Sequence, residues 1–195
     1  MKEKILARVK SEFTKNGFAR TTSDEIARAA GVSKRTLYRY FPEKDLLISE
    51  VMKSIQQELL EIFAEETARS NESPVDRLRT ILMRVSAVGA SFSPQFLLDV
   101  EKTKPEEFAK LIEFRAARVR SFAGLLREGQ KGGLVRKNLD PDFAVEAFLA
   151  SVNGILTPSF LVRSSYSFQS AFHALFEQFL TGVLAGEAVP KRKSR

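Results

Sequence analysis

The chain has 195 residues, of which 44% are hydrophobic and 28% are charged, and its formal net charge is +7 at pH 7. These values are typical of a globular protein with one large domain or two small ones, and they exclude a wholly disordered chain. The chain contains no cysteine and a single histidine, His173. Disulfides, thiolate metal sites and sites with several histidines are therefore excluded, and no metal or cofactor is expected.

The amino-terminal residues 1–13 are amphipathic and charged, without the unbroken apolar run of a signal peptide. No segment approaches the roughly 20 consecutive apolar residues of a spanning helix, so we expect a cytoplasmic protein that does not enter a membrane. Positive charge is concentrated at the two ends. Residues 1–47 contain 11 lysines and arginines against 6 acidic residues, and the last five residues, KRKSR, contain four bases. An anionic partner is indicated if the amino-terminal bases share one surface.

The apolar residues follow a helical period along nearly the whole chain, which predicts an all-α fold of about nine helices. A first helix ends at Gly17. Thr22, with a glutamate three residues later, has the spacing of a capping box and begins a short second helix that ends at Gly31. Ser33 caps a third helix, which ends before Pro42 because proline disfavours helical geometry in the residue that precedes it.

The remaining sequence predicts a larger helical body. A helix over residues 43–68 would span roughly 39 Å at about 1.5 Å per residue, which is long enough to join two domains. After a polar loop at 69–73, further helices are predicted from Pro74, over 93–101, over 105–131, from 140 to about 158, and from about 166 to 184. We divide the chain into a helix-turn-helix domain (1–47), a larger helical effector-binding and dimerisation domain (48–187) and a basic tail (188–195) that is expected to be disordered.

The second and third helices have the spacing of a helix-turn-helix, in which a glycine at the turn lets the second of the pair enter a DNA major groove. When the third helix is projected at about 100° per residue, Leu37 and Phe41 lie on one side, with Val32 near its start. The opposite arc holds the polar residues Arg35, Thr36, Tyr38 and Arg39. The apolar side therefore docks on the first two helices, and the polar side faces outward.

The outward side chains suit contact with DNA. Arg35 and Arg39 lie one turn apart and can donate bidentate hydrogen bonds to guanine or phosphate, and Thr36 can contact a thymine methyl group or a phosphate. Further donors are supplied by Tyr38, Tyr40 and Lys44, the last at the start of a helix whose amides also favour phosphate. The alternative is an amphipathic surface helix whose basic residues are merely solvated.

Residues 17–47, GFARTTSDEIARAAGVSKRTLYRYFPEKDLL, resemble the DNA-binding motif of the TetR family of bacterial transcriptional regulators. The resemblance is carried by Thr-x-x-x-Ile-Ala-x-x-Ala-Gly-Val-Ser at 22–33, Leu-Tyr-x-Tyr-Phe at 37–41 and Lys-x-x-Leu at 44–47. It implies phosphate contacts by Thr22, Tyr38, Tyr40 and Lys44, base reading by Lys34, Arg35, Thr36 and Arg39, and a place for Ser33 in the same interface. Arg35 and Ser23 depart from the family pattern, where glycine and an aliphatic residue are frequent, so looser packing is expected at Ser23.

A single short helix reads few base pairs, so a protein of this kind binds a pseudo-palindromic operator as a homodimer. The last predicted helix has a broad apolar face that includes Phe172, Phe176 and Phe179. The helix before it carries small residues at a spacing that permits close approach of another helix: Ala147, Ser151 and Gly154. Both stripes can belong to the core of one chain, but the family resemblance implies that these helices pair with their copies in a four-helix bundle.

The resemblance also implies an effector pocket in the body. Its candidate apolar residues are Phe63, Phe92, Phe96 and Phe122, each of which can equally serve as ordinary core. Arg115 falls at the centre of an apolar stripe on the helix over 105–131 and requires a partner if it is buried. We consider an ion pair with Asp99 or Glu101, an escape to solvent, or contact with an acidic effector such as an acyl or aromatic carboxylate.

With this resemblance, the sequence predicts a repressor that binds double-stranded DNA and is released by a small, largely apolar effector or apolar acid, with the helix over 43–68 as the lever. One alternative is a regulator of the same kind that activates transcription or has no ligand. Another is a helical interaction or adaptor protein without sequence-specific DNA binding. An enzyme is not expected, because no phosphate-binding glycine loop, metal constellation or nucleophile with a histidine partner stands out.

Overall fold

The computed structural model describes residues 1–68 and 71–186 and, within them, contains ten helices and no strand beyond one isolated bridge between Val135 and Leu184. The expected all-α fold is confirmed. The helices are α1 (Lys2–Asn16), α2 (Ser23–Ala30), α3 (Lys34–Tyr40), α4 (Lys44–Ala68), α5 (Pro74–Gly89), α6 (Pro94–Thr103), α7 (Pro105–Lys131), α8 (Pro141–Ile155), α9 (Pro158–Arg163) and α10 (Phe168–Val183). The predicted basic tail at 188–195 lies outside the described residues.

Local capping chemistry determines where the helix-turn-helix begins and turns. Thr22 Oγ1 accepts a hydrogen bond from Glu25 N at 3.3 Å, and Glu25 Oε2 accepts one from Thr22 N at 2.7 Å, so the predicted capping box begins α2. Ser33 Oγ accepts from Thr36 N at 3.1 Å and begins α3. Between them Gly31 closes α2 with φ +67°, a left-handed conformation that an L side chain adopts only at a cost.

Among residues 1–68 and 71–186, the structure contains one helix more than the sequence analysis predicted. We expected the helix that follows Asp140 to run to about Pro158, but α8 ends at Ile155 and the six-residue α9 begins at Pro158. The Thr157 side chain accepts a hydrogen bond from Phe160 N at 3.2 Å, and proline suits the first position of a helix. The same proline that ends one helical pattern therefore starts the next helix.

Helices α1 to α3 form a head around a small apolar core. The α1 residues Ile5, Val9 and Phe13 are at most 1% exposed. Leu37 on α3 is 3% exposed, and Phe41, directly after α3, is 1% exposed. The predicted inward side of α3 is therefore confirmed, and its burial holds the opposite side of the helix outward.

Helix α4 leaves the head and enters the body. Its first half is buried through Leu47, Val51 and Ile55, and along its length it packs against α1, α5 and α7. Helices α7 and α8 lie side by side, and α10 packs against both α5 and α8. The body is a helix-on-helix arrangement whose core is mainly phenylalanine, leucine and valine.

A buried carboxylate on α6 holds the loop between α1 and α2. Asp99 is 5% exposed, and its Oδ2 accepts hydrogen bonds from Phe18 N at 2.6 Å and Ala19 N at 2.8 Å. Its Oδ1 accepts from Gln95 Nε2 at 2.6 Å. Gly17, at the start of the loop, has φ +80°, and a Cβ there would lie 2.5 Å from Asp99 Oδ2. Glycine is therefore required where the loop approaches the carboxylate.

Both ends of α6 are also fastened. At its start, Ser93 N donates to Thr14 O of α1 at 2.8 Å. Directly after its end, Lys104 forms an ion pair with Asp45 in the first turn of α4, at 2.7 Å. Helix α6 is thus tied to the head side of the molecule at three points along its length.

Within the described residues, no single helix is long and apolar enough to cross a membrane. Helices α5 and α6 reach that length and composition only as a pair, and they are bent by 83° relative to each other. In the same part of the chain, no group of three or more His, Cys, Asp or Glu residues is placed to hold a metal ion.

Candidate nucleic-acid interface and ligand cavity

The outward face of α3 gathers the basic and aromatic residues that were predicted to contact DNA. Its exposed members are Lys34, Arg35, Tyr38 and Arg39, and its half-buried members are Thr36 and Tyr40. Three of these side chains are cations, and they lie within two turns of one short helix. Each has a donor group with the reach to contact a base edge or a phosphate.

Two of the three cations are not neutralised by an acid. Within residues 1–68 and 71–186, Arg35 has no hydrogen bond or ion pair, and the Arg39 guanidinium packs over the Tyr40 ring at 5.1 Å from its centroid. Lys34 Nζ lies 3.1 Å from Asp24 Oδ2, but this pair is exposed and contributes little to stability. The face therefore offers net positive charge to a phosphate backbone.

Hydroxyl groups are positioned across the helix-turn-helix. Ser33 Oγ lies 2.9 Å from Thr36 Oγ1, and Tyr38 Oη lies 2.6 Å from Ser23 Oγ. Ser23 thus links α2 to α3, a contact that the sequence analysis did not predict. Local spacing carries no signal for this pair, since the two residues are 15 positions apart and meet only when the helices pack.

Two members of the expected phosphate-contact set are engaged inside the head. Hydrogen bonds from the backbone N–H of Thr22 and then from its hydroxyl lower the pKa of the Glu25 carboxyl below its usual value. Lys44 Nζ donates to Thr21 O at 2.7 Å and to Ala19 O at 3.4 Å. Lys44 therefore also fastens the loop that precedes α2, a role that the sequence did not indicate.

A small apolar cavity of about 90 Å³ lies in the body, lined by residues from α4 to α8 and α10. Three of the predicted pocket residues, Phe63, Phe92 and Phe122, line it. Phe96 does not, so its assignment to the pocket is wrong. It is 2% exposed and packs against Phe18 and Phe92, with ring centroids 6.0 and 5.4 Å away, because α6 directs it toward the head.

Arg115 lines the cavity, but its partner is not one that we expected. Its Nη1 donates a hydrogen bond to Asn153 Oδ1 on α8 at 3.2 Å. An ion pair with Asp99 is not formed, because that carboxylate is committed to the loop between α1 and α2, and Glu101 is exposed. Burial lowers the pKa of the Arg115 guanidinium to about 10, so the side chain still carries its proton at neutral pH.

A second arginine, which the sequence analysis missed, lines the same cavity. The Arg118 guanidinium packs over the rings of Phe63 and Phe114, at 5.9 and 5.4 Å from their centroids. Its Nε is buried and has no hydrogen-bond partner in the described part of the chain. A signal was present in the sequence, because Arg118 follows Arg115 by three residues and therefore shares its side of α7.

The structure corrects half of the expected dimer interface. Phe172, Phe176 and Phe179 are 5%, 3% and 8% exposed and belong to the core of the single chain, where Phe179 stacks on Phe148 with centroids 4.5 Å apart. They are buried because α10 turns its apolar face toward α5 and α8. The small residues of the other predicted stripe lie on the exposed side of α8: Ala147, Ser151 and Gly154.

Comparison with known proteins agrees with this arrangement. Residues 5–51 match the family described as bacterial regulatory proteins, tetR family. The chain is 23% identical over 187 residues to the HTH-type transcriptional regulator YvaF of Bacillus subtilis, covering 96% of this chain and 97% of that protein. It is 25% identical over 181 residues to the HTH-type transcriptional repressor KstR2 of Rhodococcus jostii, covering 91% of this chain and 86% of that protein.

The fold is also similar to that of a solved regulator. The crystal structure of the regulatory protein TetR from Rhodobacter sphaeroides matches with a TM-score of 0.67 and 21% identity, covering 93% of this chain and 97% of that one. The family match, the relatives that align along nearly the whole chain and the helical fold are all consistent with a transcriptional regulator. Residues 5–51 thus match the tetR family, and the similarity along the rest of the chain supports a DNA-binding transcriptional regulator of that family.

Proposed function

We propose that the protein is a repressor that binds a pseudo-palindromic operator as a homodimer and is released by a small, largely apolar ligand. The observation that carries this proposal is the outward face of α3, where Arg35 and Arg39 are exposed while Leu37 and Phe41 are buried beneath them. A short helix that is anchored on one side and basic on the other fits a major groove. Similarity to a relative named as a transcriptional repressor supports the direction of regulation.

A second copy of the chain would supply the second recognition helix, with half-sites roughly 34 to 36 Å apart or a multiple of that spacing. We place the dimer interface on the outward sides of α8 and α10. The small exposed residues of α8 would let a helix of the other copy approach closely, and a Cβ added at Gly154 would meet nothing within 4 Å in the single chain. Helix α10 also exposes small residues: Ala174, Thr181 and Gly182. Phe143, at the start of α8, is 73% exposed and is suited to burial between copies.

Ligand binding would be coupled to the head through α6. The cavity of about 90 Å³ is smaller than the roughly 300 Å³ of typical ligand sites, so a bound ligand must displace its walls. Leu97 of α6 is one of those wall residues, and Asp99 on the same helix holds the loop between α1 and α2. A ligand that prefers the displaced arrangement weakens DNA binding, and DNA weakens ligand binding by the same factor.

The DNA-binding role is tested by selecting duplexes from a random pool with the wild-type protein and then titrating the selected sequence by fluorescence anisotropy at fixed salt. We expect Arg39→Ala to weaken binding at least about tenfold, because it removes a donor to a base or a phosphate. Arg79→Ala is the matched control, since Arg79 is a half-buried arginine of α5, outside the head, in an i,i+3 pair with Asp76. It should bind as the wild type does.

Salt dependence gives a second measurement on the same variants. The logarithm of the wild-type association constant should fall linearly with the logarithm of salt concentration, with a slope of about −0.9 per phosphate neutralised. If Arg39 contacts a phosphate, the slope measured for Arg39→Ala should be shallower by about 0.9, the contribution of one phosphate contact. Failure to enrich any duplex would favour a helical adaptor protein over the proposed repressor, whereas equal affinity of wild type and Arg39→Ala would remove Arg39 from the DNA interface.

A further inference from the structure

We infer that the ligand of the body cavity is an apolar carboxylate, with an acyl chain or ring in the cavity and its anionic group held jointly by Arg115 and Arg118. The inference rests on the proposed ligand response and extends it by naming the chemical class of the ligand. It follows from the charges on the cavity wall, from the hydrogen-bonding state of the two arginines and from their spacing on α7.

The cavity wall combines two cations with an otherwise apolar surface. Among the described residues that line it, all except Arg115 and Arg118 are Phe, Leu, Val or Gly, and none is acidic. A charged group in such surroundings is costly unless an opposite charge or several hydrogen bonds compensate it. The described wall supplies no carboxylate for either guanidinium, so a bound anion would stabilise both.

The hydrogen bonds of the two arginines leave donors for a ligand. Within the described residues, Arg115 has one hydrogen bond, and its acceptor is the neutral amide oxygen of Asn153. The rings of Phe63 and Phe114 cover the flat face of the Arg118 guanidinium, but they do not accept its in-plane N–H groups. The buried Nε of Arg118 accordingly has no acceptor among residues 1–68 and 71–186. A carboxylate would supply the missing acceptors through two oxygens.

The spacing of the arginines allows one carboxylate to meet both. Residues three apart on a helix are neighbours on its surface, and both side chains line the same cavity. The remaining wall is suited to a hydrocarbon, because it is formed by phenylalanine, leucine and valine side chains. Because the cavity measures about 90 Å³, a short chain or a single ring requires the smallest displacement of its walls.

The inference is tested by isothermal titration calorimetry on the full-length protein without DNA. Hexanoate, octanoate and decanoate are each compared with the primary alcohol of the same length, so that chain length is matched and only the charged group differs. We expect the carboxylate to bind at least about tenfold more tightly than its alcohol for the best-fitting chain. Arg115→Met and Arg118→Met should each remove this preference while leaving alcohol binding in place, which also shows that the variants are folded.

Arg120→Met is the matched control, because Arg120 lies on the same helix but is exposed. Its Nε lies 2.5 Å from Glu146 Oε1, so its charge is already paired. It should keep the wild-type preference. Equal affinity for acid and alcohol, retention of the preference in Arg118→Met, or no binding of any carboxylate would overturn the inference. The titration contains no DNA, so it tests the ligand class separately from the proposed ligand response. If the wild-type protein prefers carboxylates but a carboxylate does not release it from its operator, the proposed ligand response is contradicted and the ligand class is retained.

Discussion

Tyr38 reaches its position on the α3 face through a hydrogen bond to a neighbouring helix. Its Oη lies 2.6 Å from Ser23 Oγ in the first turn of α2, and its side chain is 39% exposed. When Ser23 donates to the tyrosine oxygen, the phenolic proton remains free to donate to a phosphate. If Tyr38 contacts a phosphate as proposed, a short polar residue at position 23 would support that contact in a way that an aliphatic residue would not.

We predict that Ser23→Ala weakens operator binding by about two- to tenfold, the effect of a hydrogen bond worth roughly 0.5 to 1.5 kcal/mol. The reason is that the tyrosine hydroxyl loses the group that orients it. A double-mutant cycle read by anisotropy checks this: in a Tyr38→Phe background, Ser23→Ala should have no further effect. Additive losses in the double variant would show that Ser23 acts independently of Tyr38.

At the scale of helices, the contacts of α6 suit it to the lever role that the sequence analysis assigned only to the helix over 43–68. Aromatic rings contact one another in succession from the cavity wall to the head: Phe168, Phe92, Phe96 and Phe18. Asp99 adds hydrogen bonds to the same loop that follows α1. We propose that α6 transmits ligand-induced displacement to the head together with α4, since both helices contact α1 and α7.

Removal of the Asp99 carboxylate tests this role of α6. We predict that Asp99→Ala lowers the free energy of unfolding by roughly 1 to 3 kcal/mol, because it leaves the buried amide of Phe18 without an acceptor. Amide hydrogen exchange at Phe18 and Ala19 should accelerate in the same variant. Asp76→Ala is the control, since Asp76 is an exposed aspartate whose loss should change stability by less than about 0.5 kcal/mol. Unchanged exchange at both amides would mean that α6 does not hold the loop.

At the scale of the whole molecule, the distribution of charge along the chain supports the same function. The excess of bases within residues 1–47 lies in the head, whereas residues 48–190 carry a slight excess of acids. This asymmetry would orient the head toward DNA during diffusion. A dimer built through α8 and α10 would then present two basic heads to one side of a duplex.

We predict that Ser151→Arg weakens dimerisation, because arginines on an isologous interface would meet their own copies and would block close helix approach. Ser151 is exposed in the single chain, so the fold should be retained. Sedimentation velocity should show a dimer for the wild type at micromolar concentration. For the variant, the dimer dissociation constant should be at least about tenfold higher, which corresponds to a loss of roughly 1.4 kcal/mol in the free energy of dimerisation. Ala109→Arg, at an exposed position of α7, should remain dimeric. A monomeric wild type would rule out the proposed interface.

The sequence was sufficient for features that depend on neighbouring residues. The capping box at Thr22, the cap at Ser33 and the turn at Gly31 each involve residues within one turn of one another, so the helix-turn-helix and the inward side of α3 were predictable. The start of α9 was also encoded locally, at Thr157 and Pro158, although the sequence analysis predicts a single helix from 140 to about 158. The family motif lies in this locally encoded part of the chain.

The tertiary structure decided every feature that joins distant residues. Asp99 bonds to an amide 81 positions away and Arg115 to a side chain 38 positions away, and neither partner has a signature in local spacing. Packing likewise directs Phe96 toward the head and buries Phe172 in the core of one chain. The helical periodicity of Phe96 does not distinguish it from a pocket residue, and that of Phe172 does not distinguish it from an interface residue. An apolar stripe specifies that a helix face is buried, and only the positions of the other helices determine what covers it.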